Sequence, residues 1–141
     1  MNNCKIVSVN KENIHLLVSF IDQIGVSSDT FRYFNTRTVD VINNHLVTLL
    51  ILIDNQPVAY GHLEPENNVI WLGICVLPEN AGKGFGKLMM NSLIKRAVEL
   101  KIPVIDLTVD KTNVSAINLY EQFAFSKYSE AALYYRYQLS L

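Results

Sequence analysis

Gly82, Gly84 and Gly86 fall within five residues, with Lys83 between them and Lys87 next in line, and give this chain its plainest chemistry. The apolar run at 69–77 before them reads as a buried strand. After them Leu88, Met89, Ile94, Ala97 and Val98 recur every three to four residues, as a helix does. A glycine-rich turn between a strand end and a helix start points several backbone N–H groups one way. The unpaired donors of the first helical turn and the positive end of the dipole add to them. Such a turn binds anions, most often phosphate; the bland alternative is a flexible surface turn. A Walker A loop needs four residues between its first glycine and its Gly-Lys pair, then a hydroxyl residue. Here three residues separate Gly82 from Gly86, and Leu88 follows Lys87. A dinucleotide fingerprint needs a third glycine where Lys87 or Met89 stands. Both nucleotide readings fail.

A second constellation follows. Asn113, Ala116 and Tyr120 are spaced i, i+3, i+7 and share one face of a helix. A small residue between an amide and a phenol leaves room for a narrow ligand arm. Against this stands the plain reading of Tyr120 as a core tyrosine.

Together the two segments resemble the signature of the GNAT superfamily of acyl-CoA-dependent acyltransferases. The family's pyrophosphate loop reads Gln or Arg, two residues, Gly, one residue, then Gly or Ala. Its glycines fall on Gly84 and Gly86, with Ala81 where Gln or Arg is usual. The run from Asn113 to Phe125 is similar to the family's Asn-x-x-Ala-x-x-Leu-Tyr-Glu-x-x-Gly-Phe, with Ala124 in place of the glycine. The resemblance covers residues 69–125 well. It implies acetyl-CoA or another acyl-CoA as cosubstrate, bound by Ala81, Gly82, Lys83, Gly84, Phe85, Gly86 and Lys87 at the pyrophosphate. Ile74, Val76, Asn113, Ala116 and Tyr120 would line the pantetheine arm. It also implies that Tyr120 acts as general acid to the departing sulfur. A left-handed Ala124 would cost about 1 kcal/mol.

At 141 residues the chain is expected to be one domain, residues 1–141, long enough for a real core. Half its residues are apolar and 18% are charged, which argues against disorder. A net charge of −1 suggests no nucleic-acid surface. No apolar run approaches the ~20 residues of a membrane span, and the N-terminus lacks a signal peptide's order, so a cytoplasmic location is expected. Cys4 and Cys75 read as reduced packing residues. His15, His45 and His62 are not spaced as metal ligands, and no metal is expected.

The remaining elements must position these groups. The reading is a strand at 4–9, then a helix capped by Asn10 with Ile14, Leu17, Val18, Ile21 and Ile24 inward, ending at Gly25. An aperiodic stretch at 26–37 and a short helix at 38–43 come next. Strands at 46–53 and 58–63 are joined by an Asp54-Asn55 turn, and a turn at 65–68 leads to the strand before the glycines. The long helix ends near Lys101, before Pro103. A strand at 104–109, the helix at 113–123 and strands at 125–128 and 132–139 finish the chain. This order is that of the GNAT fold: an α/β (α+β) arrangement with a mixed, mostly antiparallel central sheet and helices on both faces.

The aperiodic stretch carries Phe31, Arg32, Tyr33, Phe34 and Arg37, and either walls an acceptor pocket or plugs the core. Transfer to an amine requires a base, because an ammonium has no lone pair. Glu64, His62, Asp106 and a water chain are the candidates, with Glu64 nearest the expected acceptor entrance. The expected function is N-acylation of a primary amine on a small molecule, by a monomer or homodimer. Arginines beside aromatics suit an amino sugar or a nucleotide-linked amino sugar. A protein N-terminal or lysine acetyltransferase and a non-catalytic acyl-CoA-binding domain are the alternatives.

Overall fold

The computed structural model describes residues 3–141. Seven strands form one sheet in the order β1-β2-β3-β4-β5-β7-β6. In chain order they are β1 (Cys4–Ser8), β2 (Val47–Ile53), β3 (Gln56–Glu66), β4 (Val69–Val76), β5 (Val104–Asp110), β6 (Ser126–Glu130) and β7 (Tyr134–Ser140). Every pairing is antiparallel except that of β4 with β5.

β2 is apolar except for Thr48 because both faces of the sheet are covered there. On one face α1 (Ile14–Asp22) packs Leu17 and Phe20 against Leu50, Leu52, Tyr60 and Leu77. On the other, α2 (Phe85–Glu99) sets Met89, Met90, Leu93 and Ala97 against Leu49, Ile51, Ala59 and Leu63. Tyr120 of α3 (Val114–Gln122) joins that second cluster. The Glu121 carboxylate accepts from the Tyr137 hydroxyl at 2.7 Å, tying α3 to β7.

Several boundaries differ from the sequence reading. α1 ends at Asp22, three residues short of Gly25, and buries Phe20 while Val18 is exposed. Its N-cap position is Asn13. Asn10 instead accepts from the backbone of Glu12 and Asn13, and the Asn13 side chain accepts from Asn10 N. The stretch without a period holds two short 3-10 turns, Gly25–Asp29 and Tyr33–Asn35, and the helix expected at 38–43 is a third, Val39–Asn44. The turn expected at 65–68 is only Asn67-Asn68, both with positive φ, as a tight hairpin requires. Pro65 stays in β3, pairing with Ile70, beyond the point where β2 has ended, so its missing N–H leaves no ladder bond unmade. Lys101 takes the left-handed position after α2, with Lys101 N bonded to Val98 O and Ile102 N to Ala97 O; this closure, not Pro103, stops the helix. Ala124 is left-handed, with φ of 70°. The last two strands begin one and two residues later than read, and β6 carries a bulge between Lys127 and Ser129.

The feature that makes a site is a missing ladder. β4 and β5 pair only at Trp71 and Asp106, and beyond that point the two strands separate. Arg136 of β7 pins the vertex. Its Nε donates to Asp106 Oδ2 at 2.7 Å, and its guanidinium lies 4.9 Å from the Trp71 ring centroid and 4.8 Å from that of Tyr128. Asp106 is therefore a buried structural carboxylate, also accepting from Gln138. Its expected candidacy as a base is corrected: both oxygens are engaged, and it does not line the cleft. Removing the guanidinium strands this charge. Arg136→Met is expected to lower unfolding free energy by about 3 kcal/mol in urea titrations, while Asp106→Asn costs less because the guanidinium it leaves unpaired is partly exposed to water, unlike the buried carboxylate.

Candidate active site

The separation of β4 from β5 opens a cavity of about 1120 Å³ that reaches both faces of the sheet. Its walls include the glycine-rich loop, Asn113, Ala116 and Tyr120 on one side and Phe31, Arg32, Tyr33, His62 and Glu64 on the other, with Ile74 and Val76 between. Except for Lys83, which is not among the lining residues, the fold brings the expected site residues to one cleft.

At the loop the chain leaves β4, makes a 3-10 turn at Pro78–Asn80, and enters α2 through Gly84 as N-cap. Gly82 and Gly84 have φ of 75° and 88°, which side-chain-bearing residues adopt only with strain. No atom lies within 4 Å of where a Cβ on either would stand, so the loop is an open cradle of backbone. Gly86 is different: a methyl there would come 3.2 Å from Leu119, so this glycine lets α2 approach α3. These observations fit an anionic group such as the pyrophosphate of CoA, held by the backbone and by Lys87. CoA would supply an activated thioester there.

Asn113 is the N-cap of α3, its Oδ1 accepting from Ala116 N at 3.3 Å. Its amide nitrogen is the group left for a ligand arm. Tyr120 is 8% exposed, and among the described residues its hydroxyl has no hydrogen-bond partner; what is free of it faces the cavity. Burial pushes its pKa up to about 12, and Cys75 adds to the effect. The phenol is thus firmly protonated. It is also a weaker acid than the ordinary phenol near 10, so full transfer to a thiolate is uphill. Donation of a hydrogen bond to sulfur remains.

The opposite wall holds a network that the sequence did not reveal. The Tyr33 hydroxyl lies 2.6 Å from His45 Nε2, and His45 Nδ1 lies 2.9 Å from Thr48 Oγ1. Burial, then a hydrogen bond to Glu64, raises the pKa of Tyr33. Burial lowers that of His45 to about 4, with Arg37 adding to the effect, so the ring is neutral. With the Tyr33 hydroxyl turned toward Glu64, one proton arrangement serves both His45 contacts: Thr48 donates to Nδ1, and Nε2–H donates to Tyr33. Every donor in the chain is then aimed at the carboxylate. His45 was missed because its partner Thr48, three residues on, is set opposite His62 only by a bulge, where Ile51 pairs with Ala59 but Leu52 with Pro57. Counting back from the Asp54-Asn55 turn without that bulge puts the pairing one residue out and on the wrong face.

His45, His62 and Glu64 bring ligand-type atoms within 4.8 Å of one another, although their sequence spacing suggests no metal set. Ligands of one ion at ~2.1 Å can lie at most ~4.2 Å apart, and both His45 nitrogens already have partners. The cluster is a hydrogen-bond network first. Arg32 is committed elsewhere, forking onto Asp110 at 2.9 and 3.0 Å, and Arg37 lies 4.4 Å over the Tyr33 ring. Cys75, buried in β4, has its thiol pushed up to about 12 by burial; Cys4 is exposed, and both are free.

A mostly antiparallel sheet opened by one parting pair of strands, with a glycine cradle at the mouth, defines the class expected from the sequence. The chain belongs to the acetyltransferase (GNAT) family, whose model matches residues 14–125. It is 39% identical over 62 residues to the spermine/spermidine N(1)-acetyltransferase of Bacillus subtilis (strain 168), a match covering 43% of this chain and 41% of that protein's length. Among solved structures, a GNAT-family acetyltransferase from Streptococcus pneumoniae superposes with a TM-score of 0.84 at 17% identity, covering 99% of this chain and 100% of that one. The protein yncA from Salmonella typhimurium, solved with its cofactor acetyl-CoA, gives 0.78 at 16% identity, covering 98% and 94%. No helix among the described residues is long and apolar enough to cross a membrane.

Two outcomes test this site. Gly84→Val forces a β-branched residue to a φ of 88°. It is expected to weaken acetyl-CoA binding at least about tenfold by calorimetry and to cost about 1–2 kcal/mol of stability. The second concerns pH. Unfolded histidine takes up a proton near pH 6.5, which native His45 refuses until about 4. The unfolded state therefore binds more protons between these values, so this part of the stability is full above about pH 6.5 and falls toward pH 4. His45→Gln is expected to flatten that slope in melting temperatures measured from pH 7.5 to 4.5.

Proposed function

We propose that the protein transfers an acetyl or other acyl group from acyl-CoA to a primary amine of a small molecule. One observation carries this reading: a single cavity joins the glycine cradle and Tyr120 to the Tyr33–Glu64 wall through the gap between β4 and β5. Donor and acceptor can meet there from opposite sides of the sheet. Backbone N–H groups of β4 near Ile74 and Val76, freed from pairing with β5, are placed to orient the thioester and receive its oxygen. Glu64, kept as an acceptor by the Tyr33–His45–Thr48 chain, takes a proton from the incoming ammonium directly or through water. The amine lone pair then attacks the carbonyl carbon; as the carbonyl re-forms and the C–S bond breaks, the surplus proton on nitrogen passes to the departing sulfur, directly or through water. Tyr120 donates a hydrogen bond to the sulfur that leaves.

The acceptor end supports a cationic amine more than a phosphorylated one. Asp110 already neutralises Arg32, and Arg37 is stacked on Tyr33. What remains open is a carboxylate among aromatic rings, which suits an alkylammonium. A di- or polyamine is the class we favour over the amino sugar or nucleotide-linked amino sugar that the arginines suggest. The relative from Bacillus subtilis bears a name consistent with this. Acetyl-CoA consumption is to be measured against polyamines, amino sugars, nucleotide-linked amino sugars and lysine peptides. The proposal expects the highest kcat/KM for a di- or polyamine. Acetyl-CoA binding without turnover of any amine would leave a binding domain instead.

Tyr120→Phe removes an unpartnered hydroxyl while keeping the ring. Turnover is expected to fall by about 10²-fold, with melting temperature and acetyl-CoA affinity nearly unchanged. Glu64→Gln is expected to lower turnover by about 10²–10³-fold near neutral pH. Wild-type rates in both variants would reduce the two residues to packing.

A further inference from the structure

His62 has no part in the chemistry above, yet it stands where the two substrates would meet. Its ring lies flat against β4. A methyl group added to Gly73 would come within 2.6 Å of its Cε1 and 2.7 Å of its Nε2, so Gly73 is the residue that makes room for it. Tyr33 covers it with a centroid separation of 4.4 Å, and His45 lies at 4.6 Å. Only 3% of the residue is exposed, and that part borders the cavity.

Its tautomer follows from its neighbour. Tyr60 is fully buried, and its hydroxyl has one partner, His62 Nδ1 at 2.6 Å. Were Nδ1 to carry the proton, the Tyr60 O–H would be left without an acceptor, at a cost of about 1–3 kcal/mol. Tyr60 therefore donates, Nδ1 accepts, and the ring's hydrogen resides on Nε2. Among the described residues Nε2 has no hydrogen-bond partner, and no side-chain nitrogen or oxygen among them is both sealed from solvent and unpaired. The ring is also hard to protonate, because burial, with His45 and Arg37 nearby, pushes its pKa well below the usual value.

We propose that His62 is a neutral, fixed-tautomer hydrogen-bond donor, its Nε2–H directed at the carbonyl oxygen of the acyl group beside Gly73. This rests on the acyl-transfer reading and assigns His62 the opposite role from a general base. As the amine nitrogen bonds to carbon, the carbonyl π pair moves onto oxygen, and the Nε2–H bond strengthens to meet it. When the pair returns and the C–S pair leaves with sulfur, His62 still holds its own proton. Glu64 receives the first proton of the ammonium, and the second passes from the nitrogen to the departing sulfur, directly or through water, so His62 need accept neither.

Three measurements test it. Nitrogen NMR, with the His62 signals assigned by their loss in His62→Phe, is expected to show that ring neutral and protonated at Nε2 alone from about pH 8 down to 5; an Nδ1–H form or an imidazolium of His62 overturns the proposal. Infrared spectra of bound acetyl-CoA are expected to place the thioester carbonyl band lower in the wild type than in His62→Phe. Turnover in His62→Phe is expected to drop about 10²-fold, with acetyl-CoA affinity changed much less. In His62→Gln the amide can accept from Tyr60 and donate onward, so that variant is expected to recover most of the loss. A bound thioester whose carbonyl band is the same in wild type and both variants overturns this assignment alone. Failure of the wild type to bind acetyl-CoA removes the acyl-transfer reading and this one with it.

Discussion

Arg136 at the point where β4 and β5 part is the contact on which the rest of the cleft depends. A sheet is held by backbone pairing, and opening it between two central strands gives up a row of hydrogen bonds. The opening has to start somewhere and be prevented from spreading. Arg136 does both, joining Asp106 of β5 to the Trp71 ring of β4 from its own place on β7. Beyond that contact, β4 keeps β3 as its neighbour along its whole length, so its freed edge stays straight and accessible.

The two walls of the opening are built on different principles. The side proposed for CoA is backbone: glycines with left-handed φ, a helix start, and a strand edge without its ladder. The acceptor side is side-chain chemistry, with five polar residues on β2, β3 and the preceding loop exchanging hydrogen bonds in a fixed order. A backbone wall changes little when side chains are substituted. A side-chain wall can be rewritten by a few substitutions, which is where differences in acceptor among proteins of one fold can arise.

How much of this was legible in the sequence follows the same division. The glycine loop and the Asn113–Tyr120 face could be read because each is local: spacing within one turn or one helix sets the geometry. The two-residue turns at Asp54-Asn55 and Asn67-Asn68 were both signalled, although Pro65, a common turn residue, extended the reading of the latter into β3. Asp106 resembled a buried base because its partner, Arg136, is thirty residues away on a strand whose register cannot be counted from any turn near it. His45 and Thr48 were invisible as site residues because one bulge decides which face of β2 meets His62. Side chains on separate strands come together by register, and register is a property of the sheet.

Cys75 shows what burial does inside such a cleft. Its thiol sits in β4, in the wall of the cavity where a thioester would lie. Thiolates exchange with thioesters, so an ordinary cysteine here would capture the acyl group and end as a dead, acylated protein. With its pKa pushed up to about 12, only on the order of one molecule in 10⁵ carries the thiolate near pH 7. With a thioester bound as proposed, the packing that fills the core under Leu77 and Tyr60 would act as chemical insulation, keeping the protein's own nucleophile silent beside an electrophile.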